Sequence, residues 1–135
     1  MGRIDVASAV VTPHPQWGAY LLWRDAFADV LDPECYAIDW LDQQVAAGTF
    51  VLFSDEKSAI LVAVKRYPTG LLELHGQIAV GELNALIAST IPSAENWARS
   101  IGCARAVIES RRGWSRVMAQ FGYSEHQVHI RKELS

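Results

Sequence analysis

Glu73 and His75 are the two residues here whose types and spacing best suit chemistry. They stand two positions apart in residues 71–80. There Leu72, Leu74, Ile78 and Val80 alternate with Glu73, His75 and Gln77. A period of two predicts a strand, with Glu73 and His75 on its polar face. Carboxylates and imidazoles are common general bases, acting directly or through one water. Either residue could serve, and a polar sheet face bordering solvent would explain the same pair. Arg111, Arg112 and Arg116 form a second cluster. Guanidinium groups bind phosphate or carboxylate through several donors at once. A solvated turn, with Glu109 close enough to pair, is the plain alternative. The arginines open a predicted helix, where the dipole does not favour positive charge, and that adds weight to a binding role. His14, His126 and His129 show no metal-ligand spacing, so no metal site is expected. Cys35 and Cys103 lie far apart and read as buried thiols of a reducing compartment.

These residues need elements to hold them. Residues 4–11 mix apolar and small side chains, as an edge strand does. Residues 16–31 carry Trp17, Tyr20, Leu21, Phe27 and Leu31 at helical spacing. Ile38, Leu41 and Val45 mark one face of a second helix. Residues 49–53 and 58–64 are rich in β-branched and aromatic types and read as a hairpin. A helix is predicted over 83–101, and Pro92 must kink or split it. Residues 104–109 read as a short strand. Trp114, Val117, Met118 and Phe121 make an amphipathic helical stripe, and 123–132 read as a final strand. Trp17, Tyr20, Trp23 and Phe27 cannot all share one face of the first helix. They could line a pocket, meet a second copy in a homodimer, or pack on the core.

The order β-α-α-β-β-β-α-β-α-β predicts an α/β domain over residues 1–135, with one mixed, mostly antiparallel sheet and helices on both faces. At 135 residues and 50% hydrophobic side chains, the chain can bury a real core. Its formal net charge of −3 gives no reason to expect a nucleic-acid binder. No apolar run approaches the roughly 18 residues of a membrane span. The first residues lack the apolar core of a secretory leader, so the cytoplasm is expected.

The stretch Glu95-Asn96-Trp97-Ala98-Arg99-Ser100-Ile101-Gly102-Cys103 is similar to the end of the third helix in GNAT (GCN5-related) N-acetyltransferases. The segment from Ala106 to Trp114 and on to Gly122-Tyr123 resembles a GNAT-like group common in phages and prophages. In that group a strand ends in an Arg-x-Gly-Trp-type turn and a helix ends in Gly-Tyr. The resemblance implies an N-acyltransferase that binds acetyl-CoA between its fourth and fifth strands and passes the acyl group to an amine acceptor. It also implies a non-catalytic binding module as the alternative. Acetyl-CoA would then meet the backbone at Ile78, Val80, Gly81, Glu82 and Asn84, with Arg111 and Arg112 as candidates for its charged end. Two departures from the family stand out. The stretch Gly81-Glu82-Leu83-Asn84 replaces the usual glycine-rich loop and its basic residue. Met118 stands where many members carry a tyrosine that protonates the leaving thiolate.

Overall fold

The computed structural model describes residues 14–109 and 112–134. The predicted strand at 4–11 lies outside these residues. Two helices come first, α1 (Trp17–Val30) and α2 (Ile38–Ala46). Strands β1 (Val51–Ser54), β2 (Ser58–Arg66) and β3 (Leu72–Gly81) come next. A continuous helical run begins as α3 (Leu83–Ala85), passes through a π-helical segment (Leu86–Thr90) and ends as α4 (Ile91–Ser100). Strand β4 (Cys103–Ile108) and helix α5 (Arg112–Met118) complete the regular structure, apart from a 3-10 turn at Ala119–Phe121.

The sheet order is β1-β2-β3-β4. The first three strands are antiparallel, and β4 runs parallel to β3. Helices cover both faces, as the element order predicts. On one face Tyr20, Phe27, Leu41 and Val45 of α1 and α2 pack on Ala59, Leu61 and Val80. On the other, Leu86, Ile91, Ala94 and Ala98 pack with Met118 on Ile60, Val62 and Leu74. Complete burial of one such side chain stabilises the fold by about 1.5–3 kcal/mol.

Polar side chains fix the helices to the sheet. Gln16 acts as a surrogate strand edge. Its amide donates to the carbonyls of Val45 (3.1 Å) and Phe50 (2.5 Å), and its oxygen accepts from the Leu52 N–H at 2.7 Å. Asp42 of α2 accepts from Tyr20 Oη at 2.7 Å and from Arg24 Nε at 2.9 Å, which joins α2 to α1. Hydrogen bonding from Arg24 leads in holding the Asp42 carboxyl below its usual range. The first-helix tryptophans, Trp17 and Trp23, pack partly buried against this core, as does Trp40.

Three sequence expectations change. Leu74 faces α4, but Ile78 and Val80 face α1 and α2. The cause is a β-bulge. Leu61 pairs with Ile78 and Val62 with Gly76, so Gln77 is an extra residue that reverses the alternation. Glu73 and His75, opposite Lys65 and Ala63, therefore share a face with Ile78 and Val80. Residues 123–132 form no strand; among the described residues no ladder joins them to β4. Cys35 is exposed in the loop between α1 and α2, whereas Cys103 is half-buried. The charge of the neighbouring Asp32 pushes the Cys35 thiol up.

The helical run continues through Pro92, which stands in the first turn of α4. The Ile91 N–H reaches back to Leu86 O, five residues away, so a widened turn precedes the residue that has no N–H. Gly81, at φ +98°, turns the chain from β3 into this helix. A Cβ there would stand 2.3 Å from Lys57 O and 2.6 Å from Ser58 Cα. Both obstacles are backbone. We expect Gly81→Ala to destabilise the protein by about 1–3 kcal/mol or more, read as a lower Tm in thermal unfolding. An unchanged Tm would contradict this packing.

Candidate functional site

The bulge determines where the sheet opens. β3 and β4 are paired from Leu72↔Cys103 to Gly76↔Ile108. The bulge falls where this pairing stops, and among the described residues none of 77–81 pairs with β4. A cleft of about 130 Å³ lies at this splay, lined by Gly76, Gln77, Ile78, Ala79, Ile108 and Trp114 among others. Its walls are mostly apolar, and one of its edges is unpaired backbone.

One cross-strand row lies below the splay, on the α1 side of the sheet. Lys65, Glu73 and Arg105 are register partners across β2, β3 and β4. The next row holds Ala63, His75 and Val107. Glu73 is only 3% exposed, so its carboxylate needs internal partners. It has three: Tyr67 Oη donates at 2.7 Å, His75 Nε2 lies at 2.5 Å, and Arg105 Nε donates to the second oxygen. Burial alone would raise the Glu73 pKa. The bonds from Arg105, Tyr67 and His75 outweigh it and hold the group at about 2. The Tyr67 ring carries two cations, Lys65 Nζ at 4.8 Å and the Arg105 guanidinium at 5.9 Å from its centroid.

Glu73 and His75 are thus together, but not as equivalents. A carboxylate held near 2 is a weak base, and three donors already surround it. His75 is partly exposed, with one ring nitrogen held by Glu73, which leaves the other free to act. Small Ala63 stands beside it in the row. Tyr67 and Arg105 were not singled out from the sequence. Tyr67 sits in the Tyr-Pro-Thr-Gly turn that joins β2 to β3, which brings it to Glu73, and Arg105 is a lone charge between two alanines that the β3–β4 register brings there.

The other candidates divide. Ile78 and Val80 lie on the unpaired part of β3, and Ile78 lines the splay. Gly81 packs on the β1–β2 hairpin, and the Glu82 N–H donates to Lys57 O at 2.9 Å. The first helical bond behind them runs from Leu86 N–H to Glu82 O, so Asn84 sits in the first turn, whose N–H groups have no intrahelical acceptor. Arg111 lies outside the described residues, and Arg112 opens α5. Met118 is buried in the core. Among the described residues no group of three His, Cys, Asp or Glu could hold a metal ion, and no helix is long and apolar enough to cross a membrane.

Solved structures share this fold. Glucosamine-6-phosphate N-acetyltransferase from Arabidopsis thaliana superposes with a TM-score of 0.65 at 9% identity, covering 91% of this chain and 96% of that one. A ribosomal-protein-alanine N-acetyltransferase from Brucella melitensis gives 0.63 at 9% identity, covering 97% and 100%. A predicted acetyltransferase from Clostridium acetobutylicum, solved with acetyl-CoA, gives 0.63 at 12% identity, covering 93% and 92%. The fold is that of the GNAT acetyltransferases. The sequence itself matches no protein-family model and no curated protein sequence.

The Glu73 pKa carries a pH signature. Its folded value, about 2, lies below the ordinary 4.5. The unfolded chain therefore binds the proton first as pH falls, and stability is lost between those two values. Denaturant midpoints measured from about pH 6 down to pH 2 should fall more steeply for the wild-type protein than for Glu73→Gln. Equal slopes would mean that the carboxylate is not held as described.

Proposed function

We propose that this chain is an acyl-CoA-dependent N-acyltransferase, built as a single GNAT-like domain and acting on an amine acceptor. The observation that carries the reading is the splay of β3 from β4 at Gln77, with His75 and its polar partners one row below. Acetyl-CoA would supply an activated thioester. The apolar cleft between Ile78, Ala79 and Ile108 suits the thioester arm, and the unpaired backbone of residues 77–80 offers N–H groups to polarise its carbonyl. Its phosphates would fall by Gly81, Glu82 and Asn84 at the helix start. Glu82 weakens that site with a negative charge, and Lys57 is the cation next to it in the fold.

His75 would take the proton that the acceptor ammonium must lose before its nitrogen attacks. Glu73 would orient the imidazole and stabilise it once charged, which makes Glu73 a positioning residue. The amine nitrogen bonds to the carbonyl carbon, the C–S bond breaks, and the thiolate leaves. With Met118 buried, the thiolate would gain its proton from water. The thioester would reach the splay on the Trp114 side, while His75 stands on the α1 side, so donor and acceptor could approach from opposite faces. The glucosamine-6-phosphate and ribosomal-protein-alanine enzymes of like fold both act on amines by name. The free thiols of Cys35 and Cys103 fit a reducing cytoplasm.

The second reading, a non-catalytic module of the same fold, draws support from the narrow cleft and from Met118. Calorimetric titration with acetyl-CoA separates the two. The enzyme reading expects saturable binding with Kd between about 1 µM and 1 mM; no binding up to that limit sinks it. Given binding, thiol release should be followed over a panel of amino sugars, peptides and polyamines. His75→Gln should then lower kcat by about 10²–10⁴-fold with acetyl-CoA affinity unchanged.

A further inference from the structure

Gly76 lies at the splay for no reason that its backbone or its neighbours supply. Among the described residues the glycines with positive φ are Gly48, Gly70, Gly81, Gly102 and Gly122, and Gly76 is not one of them. A Cβ at position 76 would stand 3.5 Å from Ile108 Cγ1, 3.7 Å from Ile60 Cδ1 and 3.9 Å from Val107 O, all ordinary contact distances. The contrast is Gly81, where backbone blocks any side chain. A glycine inside a strand is less stable than alanine, because it loses more chain entropy on folding. What glycine supplies at position 76 is empty space.

That space belongs to the cleft. Position 76 faces the α4 side of the sheet, because its partner Val62 and Leu74, two residues before it, both pack there. After the bulge Ala79 returns to the same side. Gly76 and Ala79 therefore leave the β3 wall of the cleft nearly bare. Opposite them stand Ile60, Ile91, Ile108 and Trp114. Ile60 and Ile91 are 4% and 5% exposed, so this end of the cleft closes on the core. A thioester carbonyl held on the unpaired backbone of residues 77–80 has two sides to which its acyl chain can turn. The α1 side holds Glu73 and His75; the α4 side holds the apolar pocket at Gly76. An uncharged chain favours the second.

The volume limits the length. The cleft offers about 130 Å³, and an apolar cavity of about 150 Å³ takes a guest the size of benzene. An acetyl methyl would leave most of this space empty, whereas a few more carbons would fill it. We propose that Gly76 sets the acyl preference of the site, leaving room for a short linear chain, propionyl to butyryl, beyond acetyl. The proposal rests on the acyltransferase reading above. The transfer keeps the same balance: the amine nitrogen bonds to the acyl carbon, the C–S bond breaks, CoA leaves as the thiolate, and the ammonium proton passes to His75.

Calorimetric titration of the full chain with CoA and its acetyl, propionyl, butyryl and hexanoyl thioesters is the test. Wild-type affinity should rise about 4-fold for each methylene added up to butyryl, as burial of one CH₂ allows, and fall at hexanoyl. Gly76→Ala should fold with a Tm no lower than that of the wild type. It should raise the ratio of the butyryl-CoA Kd to the acetyl-CoA Kd by at least about 10-fold. Ile108→Ala removes the side chain nearest to position 76 and should move the tightest binding toward hexanoyl. Four results would each overturn the proposal while wild-type binding of acetyl-CoA leaves the acyltransferase reading standing: affinity that does not rise beyond acetyl, a Kd ratio that Gly76→Ala leaves unchanged, a Gly76→Ala chain that does not fold, or an optimum that Ile108→Ala does not move. A wild-type chain that binds neither CoA nor any of the thioesters overturns both.

Discussion

One residue too many in β3 organises this molecule. Without Gln77, β3 would keep one alternation from Leu72 to Gly81. The extra residue turns Ile78 and Val80 toward α1 and α2 while Leu74 faces α4. It stands next to Gly76, where the parallel pairing stops, so the cleft and the change of face lie at one place in β3. The rest of the fold accommodates it. The first two helices cover the face onto which Val80 turns, and Trp114 and Ile91 line the mouth of the splay.

The sheet also holds a charge that is shut off from bulk water. Glu73 is the middle of a cross-strand row, with a cation on each side and a phenol above. Its three donors come from a turn, from its own strand and from β4. Such an arrangement links the position of β4 to the protonation state of one carboxylate. It also gives the neighbouring imidazole a fixed direction, which a flexible polar surface could not.

Much of the architecture was legible in the sequence. Apolar spacing located α1 and α2 because each buries one face, and β-branched content located the hairpin, whose β2 is buried on both faces. Pro92 marked a real irregularity, a turn widened to π geometry just before it. The bulge was not legible: residues 71–80 alternate in sequence, and nothing in Gly76-Gln77 says which residue the partner strand will skip. Tyr67 and Arg105 escaped notice for a related reason. Arg105 joins Glu73 through the β3–β4 register and Tyr67 through the turn of the β2–β3 hairpin, and one-dimensional spacing carries neither. Residues 123–132 read as a final strand in the sequence, but a strand also needs a neighbour to pair with.

The close approach of Gly81 to the hairpin has a consequence for how such a fold is recognised. The contact is made to the carbonyl of Lys57 and the Cα of Ser58, atoms that every residue possesses. Any side chain at position 57 would present the same carbonyl, while position 81 admits almost no substitute. Constraints of this kind restrict one partner and leave the other free to drift. Where a fold rests on many of them, including a helix widened by one residue and a strand lengthened by one, shape outlasts spelling. A superposition over 91–97% of the chain at 9–12% identity is what such one-sided constraints allow.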